Sequence, residues 1–278
     1  MNDEKRGSID SADWPGDSQS AIVFDLDDTL IDTSRVFYSI RERFIELLQK
    51  LSFSRDAVLQ TFDRIDENNI KRFGYISERM LVSMRETYEE LTLGTGASFS
   101  AAALRAISRS QSGAQYIVPR PMPWSRSLLR WCSRKYTLAL VTRGSEALQN
   151  AKIERLGIRH FFKVIRIVSR KDVKTFLDTL AMLKCDPHLC TSVGDSVLHD
   201  IVPAIDAGMK AIHVRYPMPF VHWQHDSASD LSLEEDFYRT ARDLREVKQL
   251  LISAEMAPAL QPAQAALPGQ IVLPACKL

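Results

Sequence analysis

No stretch of this sequence approaches the roughly 18 uninterrupted apolar residues of a membrane-crossing helix. The longest apolar runs, such as Leu138–Val141, are strand-sized. Cysteine is scarce: Cys132, Cys185, Cys190 and Cys276 are scattered through 278 residues. A chain of this length can bury a core without staples. A disulfide framework is therefore not expected, and reduced thiols in a cytoplasmic setting are. An excess of one charge is missing too, with 36 Lys+Arg against 35 Asp+Glu and a formal net charge of +1. That balance gives no global footprint for nucleic acid or an anionic membrane. Gly94 and Gly96 do not complete a nucleotide-binding loop, because Phe99 stands at the third position. There is no Walker loop, no Gly-x-Ser-x-Gly elbow and no internal repeat.

What is present is an ordinary core-forming composition. At 45% hydrophobic and 26% charged, wholesale disorder is excluded, and the length allows one or two domains. Residues 1–20 are polar and acidic without an apolar centre, so a flexible lead-in is expected rather than a secretory signal. Ala21-Ile22-Val23-Phe24 reads as a buried parallel strand that stops at Asp25-Leu26-Asp27-Asp28-Thr29-Leu30. From Ser34 to about Ile107 the texture is helical. Phe37, Ile40, Phe44, Leu47 and Leu48 recur at helical spacing, as do Met80, Leu81, Met84, Tyr88 and Leu91, with a break at Gly94-Thr95-Gly96. Pro119-Arg120-Pro121-Met122-Pro123 forces an extended connector.

Strands and helices then alternate. Strands are expected at Tyr136–Thr142, Phe162–Val168, Thr191–Val193 and Ala211–Arg215. Helices are expected around Ser125–Ser133, Ser145–Leu156 (ending at Gly157), Lys174–Lys184 and from Ile201 to Gly208. A closing helix is expected over Leu233–Leu251, and a disordered tail over 255–278. The pattern predicts an α/β fold: a Rossmann-like parallel sheet core, 21–32 and 119–254, interrupted by an all-helical cap, 33–118. Ligands of such sheets bind beyond the C-terminal ends of the strands. Asp25, Asp27, Thr142, Lys171 and Asp195 all fall at or just after expected strand ends.

Carboxylates crowded there need a counter-ion. Two unit charges about 4 Å apart repel by roughly 1–4 kcal/mol, depending on the dielectric. Oxygen-only ligands, without His or Cys, suit a hard ion such as Mg²⁺, which pairs with phosphate. Lys171 and Thr142 then suit phosphate, one by charge and one by hydroxyl, and an ionised carboxylate facing a phosphoryl group can act as nucleophile. The alternatives are a solvated turn after the strand, a surface lysine, and Thr142 capping the helix that follows it. A calcium loop fails, because Leu30 stands where its glycine belongs and Val36 where its bidentate glutamate belongs.

With these residues in this order, the sequence resembles the haloacid dehalogenase superfamily of phosphatases. Phe24-Asp25-Leu26-Asp27-Asp28-Thr29-Leu30 is similar to its DxDxT motif, and Thr142 in Leu140-Val141-Thr142-Arg143-Gly144 to its second motif. Lys171 in Ser169-Arg170-Lys171-Asp172 is similar to the motif lysine, and Val193-Gly194-Asp195-Ser196 through Asp200-Ile201 to the last acidic motif. The resemblance covers about Ile22 to Leu251. It implies Asp25 as nucleophile and Asp27 as the general acid and then base. It implies Mg²⁺ held by the Asp25 carboxylate, the Asp27 backbone carbonyl and Asp195, with Asp200 in support. Thr142, Arg143 and Gly144 would bind the phosphoryl oxygens, Lys171 would neutralise charge, and the helical insert would close over the site. Two departures stand out. No proline follows Lys171, which makes Lys174 the runner-up, and Arg143 replaces the small or amide residue common in relatives.

The expected activity is Mg²⁺-dependent hydrolysis of a small phosphorylated metabolite, with no nucleic-acid or membrane partner. The oligomeric state is not legible. A phosphomutase on the same scaffold and a non-catalytic phospho-ligand module are the rivals. Other residues carry weaker signals. Cys185, His188 and Cys190 lack a fourth zinc ligand, and His222 and His225 read as surface histidines. Arg72, Arg79 and Arg85 could meet an anionic substrate, but arginines along a helix usually form a solvated face. The terminal Cys276-Lys277-Leu278 is similar to a peroxisomal address and is read as coincidence.

Overall fold

β1, Ala21–Phe24, is buried on both faces. Ile22 and Phe24 point into one apolar cluster, Ala21 and Val23 into another on the opposite side. This two-sided burial is why the strand reads as an unbroken apolar run rather than an alternation. The computed structural model describes residues 20–74, 78–96, 100–112, 119–216 and 237–256. The expected lead-in, the C-terminal tail, His222, His225 and Cys276 lie outside them.

After β1 come β2 (Ile31–Asp32) and four helices: α1 (Thr33–Gln49), α2 (Arg55–Phe73), α3 (Arg79–Thr95) and α4 (Ala101–Ser112). The chain returns through β3 (Arg120–Pro121), which pairs antiparallel with β2. The way into the helical insert is thus stitched to the way out. Within the insert, Ile40, Phe44, Phe62, Met80, Met84 and Tyr88 share one core. The helical periodicity is that of packing, and the two methionines are core residues. Ser54 caps α2 by accepting from the Ala57 N–H at 3.2 Å, and Gly96 ends α3 in the left-handed conformation.

The insert buries an ion pair. Asp66 is fully buried and Arg79 nearly so; they form a salt bridge, and the Ser83 hydroxyl donates to Asp66 at 2.6 Å. Removing the cation strands a buried carboxylate. Arg79→Met is expected to cost about 3–5 kcal/mol, read as a lower urea midpoint. Adding Asp66→Leu to the same variant recovers much of the loss.

The second half supplies α5 (Ser125–Cys132), β4 (Thr137–Arg143), α6 (Glu146–Leu156), β5 (Val164–Val168), α7 (Val173–Leu183), β6 (Thr191–Gly194), α8 (Val202–Asp206), β7 (Lys210–Val214), β8 (Tyr238–Ala241) and α9 (Leu244–Met256). The six-stranded sheet runs β5-β4-β1-β6-β7-β8, with every pairing parallel. This is the Rossmann-like α/β architecture the alternation predicts.

Two segments differ from expectation. The closing helix begins at Leu244, not Leu233, and Tyr238–Ala241 is a sixth strand, pairing with β7 at the sheet edge. The boundary has a chemical cause. Asp243 accepts from the Arg245 and Glu246 N–H groups at 2.8 and 3.1 Å, which starts the helix there. The helix expected from Ile201 is shorter as well. Val197–Ile201 is a π-helical turn that leads into α8, and it carries Asp200.

Candidate active site

Register brings the site together. Phe24 pairs with Leu140 on β4 and with Val193 on β6. The next residue, Asp25, donates its N–H to Val193 O at 2.9 Å. Asp25 therefore leaves the sheet between the ends of β4 and β6, where Thr142 and Asp195 emerge.

Asp25, Asp195 and Asp200 each offer a carboxylate oxygen within 4.8 Å of the others. Lys171 lies among them, buried, donating to Asp25 and to Asp200 Oδ1, the latter at 2.6 Å. Burial pushes the Asp25 carboxyl up to about 7, with Lys171 pulling the other way and Asp200 and Asp27 adding to the rise. Burial likewise holds Asp195 well above the usual carboxylate range, reinforced by the charges of Asp25, Asp28 and Asp200. Burial alone would lower Lys171, but Asp200 and Asp25 outweigh it and raise it. When all three carboxylates are ionised, they exceed the one ammonium by two negative charges. An all-oxygen donor set with that deficit fits a hard divalent cation such as Mg²⁺. Among the described residues this is the one group of three or more potential ligands; Cys185, His188 and Cys190 do not form another. Lys174 is exposed and paired with Asp178.

Asp27 faces a different set of partners. Lys152 Nζ is 2.6 Å from its Oδ1, Gln149 Nε2 donates to its Oδ2 at 2.7 Å, and the Thr33 hydroxyl also donates to Oδ1. Burial would raise Asp27, but Lys152 and the hydrogen bonds from Thr33 and Gln149 bring it below the usual range. Asp28 turns away. Its carboxylate accepts from Ser34 N at 2.7 Å and Ser34 Oγ at 2.5 Å, pinning the start of α1, and burial raises it to about 6.

Thr142 is fully buried, and Gln149 Nε2 donates to its Oγ1 at 2.5 Å and to Arg143 O at 3.2 Å. Helix α6 is capped by Ser145, which accepts from Leu148 N at 3.4 Å, so Thr142 is not the cap. Gly144 has φ +147, and its N–H donates to Val168 O at 3.3 Å. Arg143 lies 3.1 Å from His199 on the π-helical turn. The insert arginines stay in the insert. Arg79 pairs with Asp66, Arg72 with Glu86, and Arg85 lines a depression of about 380 Å³ with Leu104, Arg105, Ser108 and Arg109.

Gln149 and Lys152 were not among the expected site residues. The sequence carries only part of the signal: they stand three apart on the helix that follows Thr142 and so share one face of α6, which the structure turns toward Asp27. Thr29 was also quoted only as part of its motif; its hydroxyl donates to Asp195 at 3.3 Å. His213 on β7 contacts the Asp195 backbone carbonyl at 2.9 Å.

The profile of the haloacid dehalogenase-like hydrolases matches residues 22–214, which span β1 to β7 and every residue of this site. The chain belongs to that family. It is 28% identical to the glyceraldehyde 3-phosphate phosphatase of Pyrococcus furiosus, over 70% of this chain and 80% of the relative. It is also 28% identical to the phosphoglycolate phosphatase of Mesorhizobium japonicum, over 81% of this chain and 99% of the relative. In fold, this hydrolase is similar to a haloacid dehalogenase-like hydrolase from Xanthomonas campestris. That likeness has a TM-score of 0.66 and 23% identity, and covers 85% of this chain and 94% of the other.

Proposed function

We propose that this hydrolase is a Mg²⁺-dependent phosphatase that cleaves a small phosphomonoester metabolite through a phosphoryl group carried on Asp25. One observation carries the reading: a buried Asp25–Asp195–Asp200 cluster, threaded by Lys171, lies at the C-terminal ends of parallel strands beside Thr142. Asp25, Asp195 and the Asp27 backbone carbonyl would hold the ion, with Asp200 in support. When bound, Mg²⁺ supplies charge neutralisation that lets a carboxylate and a phosphate approach each other.

The chain's own groups do the rest. The Asp25 carboxylate oxygen attacks phosphorus; the Asp25 O–P bond forms as the ester O–P bond breaks. Asp27, held ionised by Lys152 in the free enzyme, takes a proton from the monoanion of the entering ester and delivers it to the departing alkoxide. It then takes a proton from the water that attacks the aspartyl-phosphate, which frees phosphate and restores Asp25. Lys171 offsets charge between Asp25 and the phosphoryl oxygens. Because Gln149 donates to Thr142 Oγ1, the Thr142 hydroxyl keeps its own proton to give to a phosphoryl oxygen. The Gly144 N–H already donates to Val168 O, which leaves Thr142 and Arg143 as the main donors. The insert, residues 33–118, would act as a cap over this site, hinged at the β2–β3 pair. The relatives named above supply the substrate class, a phosphate ester on a short carbon skeleton. Among the described residues no helix is long and apolar enough to cross a membrane, and the reading is of a cytoplasmic enzyme with no nucleic-acid partner.

The test is phosphate release from 4-nitrophenyl phosphate and from phosphoglycolate after EDTA treatment, with and without added Mg²⁺. Release that requires Mg²⁺, together with a phosphoryl group trapped on the Asp25 peptide after rapid acid quench, is the expected result. Release indifferent to the ion, or a phosphoryl group on another residue, overturns the mechanism. Isomer interconversion without net phosphate release marks a phosphomutase instead.

A further inference from the structure

The two cations of the site are divided. Lys171 is committed to the carboxylate cluster and is buried, with its side chain 5% exposed. Lys152 touches none of those carboxylates. It reaches Asp27 from α6 with its side chain 20% exposed. Both Asp27 oxygens are occupied, Oδ1 by Lys152 and Thr33, Oδ2 by Gln149. Three donors leave one of about four acceptor positions on the carboxylate for an ester oxygen, and an anion entering beside it can draw away only a partner that is free to move. Gln149 is held: it is buried and also donates to Thr142 and to the Arg143 carbonyl. Lys152 is the partner with a flexible arm and access to solvent. Two hydrogen bonds separate its ammonium from the ester oxygen, a span of about 5 Å. The carbon attached to that oxygen, and the group borne on it, lie within that reach.

We propose that Lys152 is a specificity-determining residue, its ammonium passing from Asp27 to a carboxylate on the carbon next to the phosphate ester. The substrate class is then a phosphorylated short hydroxy acid. The inference rests on the phosphatase reading and narrows it. An ammonium drawn away from one carboxylate is matched by another, so a substrate without an anionic leaving group gains nothing from it.

The experiment compares kcat/KM for phosphoglycolate and for ethyl phosphate, which has a methyl group in place of the carboxylate. Wild type is expected to favour phosphoglycolate. In Lys152→Met the ratio of the two constants falls by about tenfold or more, mainly through KM, whatever happens to both rates together. Lys152→Arg keeps the ratio within about threefold of wild type. Should Lys152→Met not fold, Lys152→Gln keeps a donor toward Asp27 without the charge and carries the same comparison. An equal ratio in wild type and the uncharged variants overturns the proposal, as does a wild type that does not prefer phosphoglycolate. Absence of phosphate release from every ester tested brings down the phosphatase reading itself, and release that survives Asp25→Asn brings down its Asp25 mechanism. An unaltered ratio in an enzyme that still needs Asp25 removes only the role of Lys152.

Discussion

Asp25→Asn is expected to lower phosphate release by about 10⁴-fold or more while leaving the protein folded. An amide is a far weaker nucleophile and cannot form the aspartyl-phosphate, and the exchange is nearly isosteric in a site where Asp25 is already buried. Stability should move the other way from activity. Burial raises the Asp25 carboxyl to about 7, against about 4 in an unfolded chain. Between those values the folded protein binds more protons than the unfolded one. Stability from this group is therefore complete below about pH 4 and lost as the pH rises through about 7. Asparagine does not ionise and carries none of this loss. In the absence of metal, the melting temperature of wild type should fall between pH 5 and pH 8 more steeply than that of Asp25→Asn. Mg²⁺ should flatten the wild-type slope by compensating the ionised cluster. A variant that keeps wild-type turnover removes Asp25 from the chemistry. A variant that is inactive and also less stable than wild type at pH 8 would attribute the loss to folding.

Much of this site was legible because its residues follow strands. Asp25, Thr142 and Asp195 each come at or just after the end of an apolar run, and parallel register alone brings such ends together. Lys171 could be preferred over Lys174 because it stood nearer its strand, and Lys174 does pair with Asp178 on the exposed face of α7. The insert was legible for a different reason: apolar spacing in α1 and α3 records the packing of Phe44, Met80, Met84 and Tyr88. Edges and helix faces were harder. β8 alternates half-buried and exposed residues over three positions before its last, Ala241, is buried. That signal is too short to separate from the amphipathic helix that follows. Gln149 and Lys152 were missed because their role depends on which face of α6 meets the strand ends. A helix whose apolar and polar residues are weakly segregated, as Ala147, Ile153 and Leu156 are among polar neighbours, does not declare that face. The π-helical turn at Val197–Ile201 was unreadable too, since its extra residue serves the position of Asp200 rather than any apolar period.

That turn is why Gly194→Ala is expected to lower kcat by about 100-fold and stability by about 1–3 kcal/mol. A Cβ on Gly194 would lie 2.3 Å from both Cβ and Cγ of Asp200 and 2.5 Å from its Oδ2. Asp200 has nowhere to go. Its Oδ1 accepts from Lys171 at 2.6 Å and its Oδ2 from Ser196 N at 3.1 Å. Its own N–H donates to Ser196 O at 2.8 Å, and its carbonyl accepts from Ser192 Oγ at 2.8 Å. Relief of the clash must move the turn as a unit, and with it the carboxylate that helps to fix Lys171 against Asp25. The damage reaches the chemistry through position alone, since no charged group is removed. Gly96→Ala is the contrast. Its added Cβ meets nothing within 4 Å and bears only the strain of φ +65, about 1 kcal/mol, at the end of a helix remote from the cluster. Steady-state rates, Mg²⁺ titrations and urea melts on the two variants separate the cases. A Gly194→Ala enzyme with wild-type rate and Mg²⁺ affinity would mean that Asp200 does not order the cluster. Joint loss of rate and Mg²⁺ affinity, with Gly96→Ala losing stability alone, would tie the glycine at the end of β6 to the placement of its neighbouring carboxylate.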